Sequence, residues 1–286
     1  MSEAAARAGM VFIAGRRFTM GSERFYPEEA PLRPVEVDSF WIDETPVTNA
    51  QFAAFVAATG YVTEAEEPPL FAEQPDLVVA PGALVFGPRE DGEGWWSFVA
   101  GANWRSPAGP GSSIGGLESH PVAQVSFRDA QAYAAWAGKA LPSEAEWELA
   151  ARGGLDDADF AWGDELAPGG AMMANYWQGA FPHENLALDG FERTSPVRSF
   201  PANGHGLFDM IGNVWEWTAD DYAEDLPTRP CCGSRVSAGP RTLVLKGGSH
   251  LCAENYCQRY RPAARIPQSA DSATSHIGFR CVVRPV

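Results

Sequence analysis

Basic residues are scarce in this 286-residue sequence: 21 lysines and arginines stand against 37 aspartates and glutamates, which gives a net charge of -16. Nucleic acid and anionic membranes bind a basic face that displaces counterions, so the charge balance argues against both as partners. The sequence also lacks a long apolar run. Its opening, MSEAAARAGMVFIAG, has no secretory apolar region, and no segment approaches the roughly 18 apolar residues of a membrane helix. We therefore expect a cytoplasmic protein.

Cysteine is infrequent as well, with five residues, an odd number. A secreted disulfide framework is therefore excluded, and a pair of cysteines in a reducing compartment more often binds metal or does chemistry. By contrast, 29 glycines and 23 prolines are spread along the chain, so helices and strands must be short and much of the chain must be ordered loop. No segment resembles a linker, and we predict one α+β domain over residues 1–286.

Three segments carry helix signals. TNAQFAAFVAATG has a capping residue in Thr48 and a terminator in Gly60, and RDAQAYAAWAG ends at Gly138. LPSEAEWELAARGG begins with a capping box, Ser143 followed three residues later by Glu146. The alternating segments RPVEVDSFWID and GFRCVVRPV predict strands in small antiparallel sheets.

The region from about Glu64 to Gly116 is rich in proline, glycine and tryptophan. Its secondary structure is hard to assign from the sequence, and we predict a long structured excursion. Its tryptophans could line a groove or belong to the core.

The segment GGSHLCAENYCQRYRPAAR, residues 247–265, contains Cys252 and Cys257. Their spacing alone leaves a chance pair, a disulfide and a metal or redox site open. Zinc normally needs four protein ligands, and His250 and His276 are candidates to complete such a set but lack paired spacing. Two thiolates without a further soft ligand suit Cu(I). Arginines could keep the thiols deprotonated or pair with the surplus carboxylates; they are Arg259, Arg261, Arg265 and Arg280.

Three blocks of sequence resemble the formylglycine-generating enzymes, or sulfatase-modifying factors, of the bacterial type. They are GGSHLCAENYCQRYRPAAR followed by HIGFRC, NGHGLFDMIGNVWEWT, and HPVAQVSFRDAQAYAAWAGKALPSEAEWELAARGG. The resemblance runs from about residue 10 to residue 286. It implies a loop-rich fold related to C-type lectin domains, with small antiparallel sheets and a few helices. The C-x4-C followed by Arg-Tyr-Arg marks the aldehyde-forming branch.

The resemblance also implies an activity. Such enzymes use O2 to convert one cysteine in a C-x-P-x-R motif of a newly made, unfolded sulfatase into Cα-formylglycine. The positions matching Cys252 and Cys257 bind Cu(I) and are catalytic, and Ser249 matches a serine that supports the site by hydrogen bonding. In this chain Ala253 follows the first cysteine, where many relatives have histidine, and His250 stands where tyrosine is common. The family and the acidic composition both favour a monomer.

Oxygen-rich segments suggest calcium, which accepts mixed carboxylate and carbonyl ligands. From the residues alone, turn-forming Asn and Asp would be the favoured interpretation. The resemblance reverses that preference and implies two structural calcium ions. The first would bind Asn175, the Tyr176 carbonyl, Asp189 and the Phe191 carbonyl; the second would bind Asp209, the carbonyls of Gly212 and Val214, and Glu216.

Two other functions compete with this assignment. The first is a non-catalytic binding paralogue of the same fold, which the loss of either cysteine would favour, and this chain has both. The second is an iron-dependent sulfoxide synthase of the ergothioneine type, which needs a facial set of histidines. Five scattered histidines provide no such set.

The remaining cysteines receive no catalytic role. Secreted relatives use the cysteine matching Cys281 in a disulfide, but its partner position here is alanine, so we expect a buried thiol. Cys231 and Cys232 are adjacent and too close for an ordinary pair.

Overall fold

The computed structural model describes residues 7–69, 79–87, 94–223 and 241–285. The helices in these ranges are α1 (Asn49–Thr59), α2 (Phe127–Trp136) and α3 (Glu144–Ala151). The strands are β1 (Met10–Ile13), β2 (Arg16–Met20), β3 (Arg33–Val37), β4 (Phe40–Asp43), β5 (Gly82–Phe86), β6 (Trp96–Ala100), β7 (Trp215–Asp221), β8 (Thr242–Lys246), β9 (Arg265–Ser269), β10 (Ile277–Gly278) and β11 (Val282–Val283). The predicted α+β class with low regular content is confirmed.

The strands form small sheets. One has the order β1-β4-β11 and another β10-β7-β8-β9, while β2-β3 and β5-β6 are two-stranded. Pairing is antiparallel throughout these sheets except between β10 and β7, which are parallel. The predicted small antiparallel sheets are therefore confirmed, with that one exception.

The helices begin where the sequence signals place them. Thr48 and Ser143 each cap a helix in a capping box, and α1 ends at Gly60, whose φ of 68° is left-handed. A third capping box, between Ser126 and Asp129, starts α2 and was not anticipated from the sequence. None of the helices in the described ranges is long and apolar enough to cross a membrane.

Aromatic side chains and buried ion pairs together make the core. Phe52 contacts Trp104, Tyr133 and Phe279 with ring centroids 5.2 to 6.4 Å apart. Charged groups are buried only with partners, as desolvation requires. The fully buried pairs include Lys246 with Glu148, Arg152 with Glu148, Arg261 with Glu29, and Arg280 with Glu216. The Lys246–Glu148 pair joins β8 to α3, and the Arg280–Glu216 pair joins the segment after β10 to β7.

Candidate active site

The two cysteines lie in the loop that connects β8 to β9. The Cys252 amide donates to the Ser249 carbonyl at 2.9 Å, and the Cys257 amide donates to the Ala253 carbonyl at 2.8 Å. These turns bring the sulfurs of Cys252 and Cys257 to 3.1 Å, where they share a hydrogen bond. Gly248 has a φ of 77°, and a Cβ there would lie 2.5 Å from the Arg259 carbonyl. Only glycine allows the two sides of the loop to approach this closely.

The two thiols differ in acidity. The hydrogen bond from Cys252 is the largest influence on Cys257 and, with the nearby charge of Arg259, lowers its pKa to about 6 despite burial. Burial, followed by the interaction with Cys257, raises the pKa of Cys252 well above its ordinary value. At neutral pH Cys257 is therefore the thiolate and Cys252 the thiol that donates to it.

The four arginines near the pair divide between two roles. Three of them pair with buried carboxylates: Arg261 with Glu29, Arg265 with Glu144, and Arg280 with Glu216. Arg259 alone among the four adds to the acidity of Cys257. Both expected roles of the arginines are therefore present: one arginine favours a deprotonated thiol, and the other three pair with carboxylates.

A segment far away in sequence holds Arg259 in place. The Glu28 carboxylate accepts from Arg259 Nη2 at 2.6 Å, and the guanidinium lies 3.9 Å from the centre of the Tyr26 ring. The Tyr26 hydroxyl accepts from the Gln258 amide at 3.0 Å. We call Phe25–Glu29 the strap, because it clamps the cysteine loop. The sequence offered no local signal for this contact.

Both sulfurs line a cavity of about 190 Å³, the cysteine cavity. Ser249 also lines it, so the three predicted catalytic residues lie together. Most other walls are aromatic and come from the β5-β6 hairpin, the loop near residue 181, the start of β7 and the cysteine loop. They include Phe86, Trp95, Trp96, Phe181, Trp215 and Tyr256.

A second cavity, of about 490 Å³, adjoins the first and shares Phe86 and Leu251 with it. We call it the side cavity. Trp104 lines it, with 2% of its surface exposed. The tryptophans of region 64–116 were predicted to line a groove or to join the core, and both occur. Trp104 belongs to the core and lines the side cavity, and Trp95 and Trp96 line the cysteine cavity.

The two histidines considered as zinc ligands lie in different cavities. His276 lines the cysteine cavity and His250 the side cavity. Burial lowers the pKa of His276 to about 3 and that of His250 to about 4, so both imidazoles are neutral at pH 7. Over the described residues, no three side chains of His, Cys, Asp or Glu come together as a metal cluster.

The residues of the first predicted calcium set lie together, and the Gln178 side-chain amide donates to both the Tyr176 carbonyl and the Asp189 carboxylate. The Asp189 carboxylate accepts from the amides of Tyr176 and Phe191, at 3.2 and 2.9 Å, and burial raises its pKa. Asn175 Oδ1 is buried and accepts no hydrogen bond from the described residues. A buried carbonyl oxygen without a donor fits a hard cation as its partner.

The second set has protein partners for its carboxylates. Both oxygens of Glu216 accept from Arg280, and one also accepts from Trp147 Nε1 at 2.8 Å. Asp209 accepts from the Arg198 amide at 2.8 Å. Gly212 touches the first set, since a Cβ there would lie 2.3 Å from the Asn175 carbonyl. Arg280 thus already supplies a positive charge to Glu216, and calcium at this set stays a prediction.

Comparison with known proteins identifies the family. The family model described as "Sulfatase-modifying factor enzyme 1-like domain" matches residues 1–285. The formylglycine-generating enzyme of Mycobacterium tuberculosis is 54% identical to this chain, over 97% of this chain and 98% of that protein. The protein belongs to the sulfatase-modifying factor family.

Two further proteins are similar to this chain, one in sequence and one in structure. A protein of Bos taurus named inactive C-alpha-formylglycine-generating enzyme 2 is 42% identical, over 95% of this chain and 87% of its own. The structure of PvdO from Pseudomonas aeruginosa matches with a TM-score of 0.65 and 26% identity, over 96% of this chain and 93% of that one. The predicted sulfatase-modifying factor fold is therefore confirmed.

This member of the sulfatase-modifying factor family departs from the expected pattern at Ala253, which is fully buried and forms a parallel bridge with Trp177. Cys281 is free and fully buried, as predicted, and burial raises its pKa well above the ordinary value. Cys231 and Cys232 lie outside the described residues.

Proposed function

We propose that this protein uses Cu(I) and O2 to convert the cysteine of a C-x-P-x-R motif in a sulfatase polypeptide to Cα-formylglycine. The observation that carries the proposal is the pair of sulfurs, 3.1 Å apart, that opens onto a cavity adjoining a larger one. The names of the similar enzymes support the same reaction.

The overall reaction fixes what the site must accommodate. A CH2–SH group, O2 and two reducing equivalents with two protons give CH=O, H2S and H2O. An external thiol can supply the reducing equivalents by forming a disulfide. The site therefore has to hold a third sulfur beside the pair while O2 and a reductant have access.

The donor set fits copper. Among the described residues, the two cysteines form no metal-binding group with a third His, Cys, Asp or Glu, and two thiolates alone suit a soft monovalent ion of low coordination number. Cys257 is ready to bind as a thiolate at neutral pH, and metal binding would displace the proton of Cys252. When bound, Cu(I) would supply the O2 chemistry, which no amino-acid side chain performs.

The residues of the chain contribute position and a largely apolar environment. The aromatic walls of the cysteine cavity make most of its lining apolar, and the turn at Ser249 fixes Cys252 through the 2.9 Å backbone bond. The Ser249 hydroxyl accepts from the Leu251 amide at 3.2 Å, so it helps to shape the loop between the two cavities. Binding energy from an extended substrate can then place the reacting Cβ.

The substrate we propose is an unfolded segment of sulfatase, because a folded domain would not place a cysteine inside a cavity of about 190 Å³. A monomeric state and a cytoplasmic location remain part of the proposal. Nucleic acid and membranes are not proposed as partners, since the net charge is -16.

The alternative is a non-catalytic paralogue that binds such segments without oxidising them. Identity to relatives does not separate the two, because one similar protein is named inactive. The intact pair of close thiols favours the oxidase.

The test uses purified protein loaded with Cu(I), a C-T-P-S-R peptide, O2 and a thiol reductant, with mass spectrometry of the peptide. We expect the mass change of CH2–SH becoming CH=O, and reaction of the product with a hydrazide. Cys252→Ser and Cys257→Ser should abolish turnover, whereas Cys281→Ala, which removes a thiol outside the site, should retain it. An unchanged peptide with copper shown to be bound would favour the non-catalytic alternative.

A further inference from the structure

The imidazole of His276 is held firmly in the wall of the cysteine cavity. Its Nδ1 lies 2.8 Å from the Thr274 hydroxyl, and its ring packs on Trp96 with centroids 4.7 Å apart. From the sequence, His276 is a candidate only for a zinc ligand, and it lacks the paired spacing of such ligands. In the structure it faces the same cavity as Cys252 and Cys257.

The hydrogen bond to Thr274 fixes which nitrogen carries the proton. Thr274 is 3% exposed, and in the described part of the chain its hydroxyl has His276 Nδ1 as its partner and no second acceptor. If Nδ1 carried the proton, the hydroxyl hydrogen would be buried without an acceptor, which is costly. The hydroxyl therefore donates to Nδ1, and the proton of the neutral ring is on Nε2.

Nε2–H is the group that His276 presents to the cavity. Within the described ranges the hydrogen bond of the ring is the one at Nδ1, and His276 is half-buried in the cavity wall, so Nε2–H is the ring group left for a ligand in the cavity. His250 shows the opposite arrangement: its Nδ1 bonds the Asn213 carbonyl at 2.8 Å, so Nδ1–H must donate and Nε2 is an acceptor. His276 is thus a fixed donor beside the sulfurs.

We propose that His276 positions the substrate by donating from Nε2–H to a main-chain carbonyl next to the reacting cysteine. The inference rests on the proposed function and specifies a contact within it. An extended peptide that enters an aromatic cavity loses water from its carbonyls, and each buried carbonyl then needs a donor. Such a contact is independent of the side chain at the x position, and it directs the cysteine toward the pair.

Two substitutions separate this role from a structural one. His276→Gln can place an amide N–H where Nε2 lies but loses the Thr274 contact, whereas His276→Asn keeps a group near Nδ1 and presents nothing to the cavity. We expect His276→Asn to raise KM for the peptide about 3- to 10-fold, the loss of one neutral hydrogen bond, with kcat little changed. His276→Gln should recover most of the loss.

Binding without turnover provides a second readout. A peptide with serine in place of the reacting cysteine should bind the His276→Asn protein about 3- to 10-fold more weakly than wild type, by calorimetry. The penalty should be the same for Thr, Ala and Val at the x position. A penalty confined to Thr would show that a side-chain hydroxyl is bound instead, and would overturn the main-chain assignment.

The outcomes also distinguish the two proposals. If the wild-type protein with copper neither binds nor oxidises the peptide, the proposed function fails. If it oxidises the peptide and His276→Asn has unchanged KM and affinity, the inference about His276 is wrong. If His276→Gln raises KM at least as much as His276→Asn does, and Thr274→Val has the same effect, the imidazole acts through Thr274. The carbonyl contact is then refuted.

Discussion

Replacing Glu148 with glutamine should change stability in a way that depends strongly on pH. Glu148 is fully buried, and its oxygens accept from Lys246 Nζ at 2.8 Å, Arg152 Nη2 at 2.7 Å and the Gly21 amide at 2.8 Å. Burial raises the pKa of Glu148, but the charges of Lys246 and Arg152 more than offset it and lower the pKa to about 2. Lys246 ends β8, directly before the cysteine loop, so this cluster anchors the site.

The magnitude follows from linkage. Because the pKa of the folded state lies below the ordinary 4.5, ionised Glu148 stabilises the fold above pH 4.5, and the contribution is lost as pH falls toward 2. The difference amounts to about 3 kcal/mol of unfolding free energy. At pH 7, Glu148→Gln removes the carboxylate of buried Arg152 and leaves buried Lys246 with only Glu144, 3.7 Å away, and it should cost about 3 to 5 kcal/mol.

Guanidinium unfolding of both proteins between pH 2 and pH 8 measures the effect. Comparing the two cancels the carboxylates that they share, including Asp209 and Asp129, whose pKa values burial raises. The gap between wild type and Glu148→Gln should shrink by about 3 kcal/mol as pH falls from 7 to 2. Glu23→Gln removes an exposed charge and should stay within about 0.5 kcal/mol of wild type at pH 7. A gap that stays constant with pH would refute the linkage.

Two further predictions concern the metal-binding groups. In metal-free protein, alkylation of Cys257 by iodoacetamide should accelerate as the pH rises through about 6. Cys252→Ala should move this acceleration to higher pH, because the hydrogen bond from Cys252 is lost. A pH profile that Cys252→Ala leaves unchanged would contradict the shared hydrogen bond. Calcium chelation should lower the Tm of the wild-type protein by about 5 °C, and it should do so before it lowers turnover at room temperature. The Tm of Asn175→Ala should change much less on chelation. Equal melting curves of the wild-type protein with and without chelator would remove the first calcium assignment.

Local signals in the sequence predicted the local parts of the fold. The caps at Thr48 and Ser143 and the glycine at position 60 act within a few residues, so they were readable directly. The cap at Ser126 was not predicted, because the apolar pattern of α2 was read from Arg128 onward. Spacing alone left the role of Cys252 and Cys257 open; the ligand preference of Cu(I) favoured copper, and the resemblance implied the same ion.

Contacts across the chain could not be predicted in the same way. Glu28 and Arg259 are separated by 231 positions, and neither residue carries a pattern that names the other. The role of His276 likewise depends on Thr274 and Trp96, which fix its tautomer and ring only once the fold is formed. Sites of this kind come from loops that different elements position, so residue types alone do not define them.

The ion pairs of the arginines help to hold the cysteine loop, which contains neither helix nor strand, in one conformation. Arg261 and Arg265 are anchored by Glu29 and Glu144, so their charges are neutralised where they are buried. If all the arginines faced the sulfurs, the cysteine cavity would carry an excess of positive charge that repels the arginine of a C-x-P-x-R segment. Arg259, itself paired with Glu28, acidifies Cys257 without adding a free positive charge. In the proposed reaction, the acidic strap would therefore allow an acidic thiol and a cationic substrate segment to meet in one cavity.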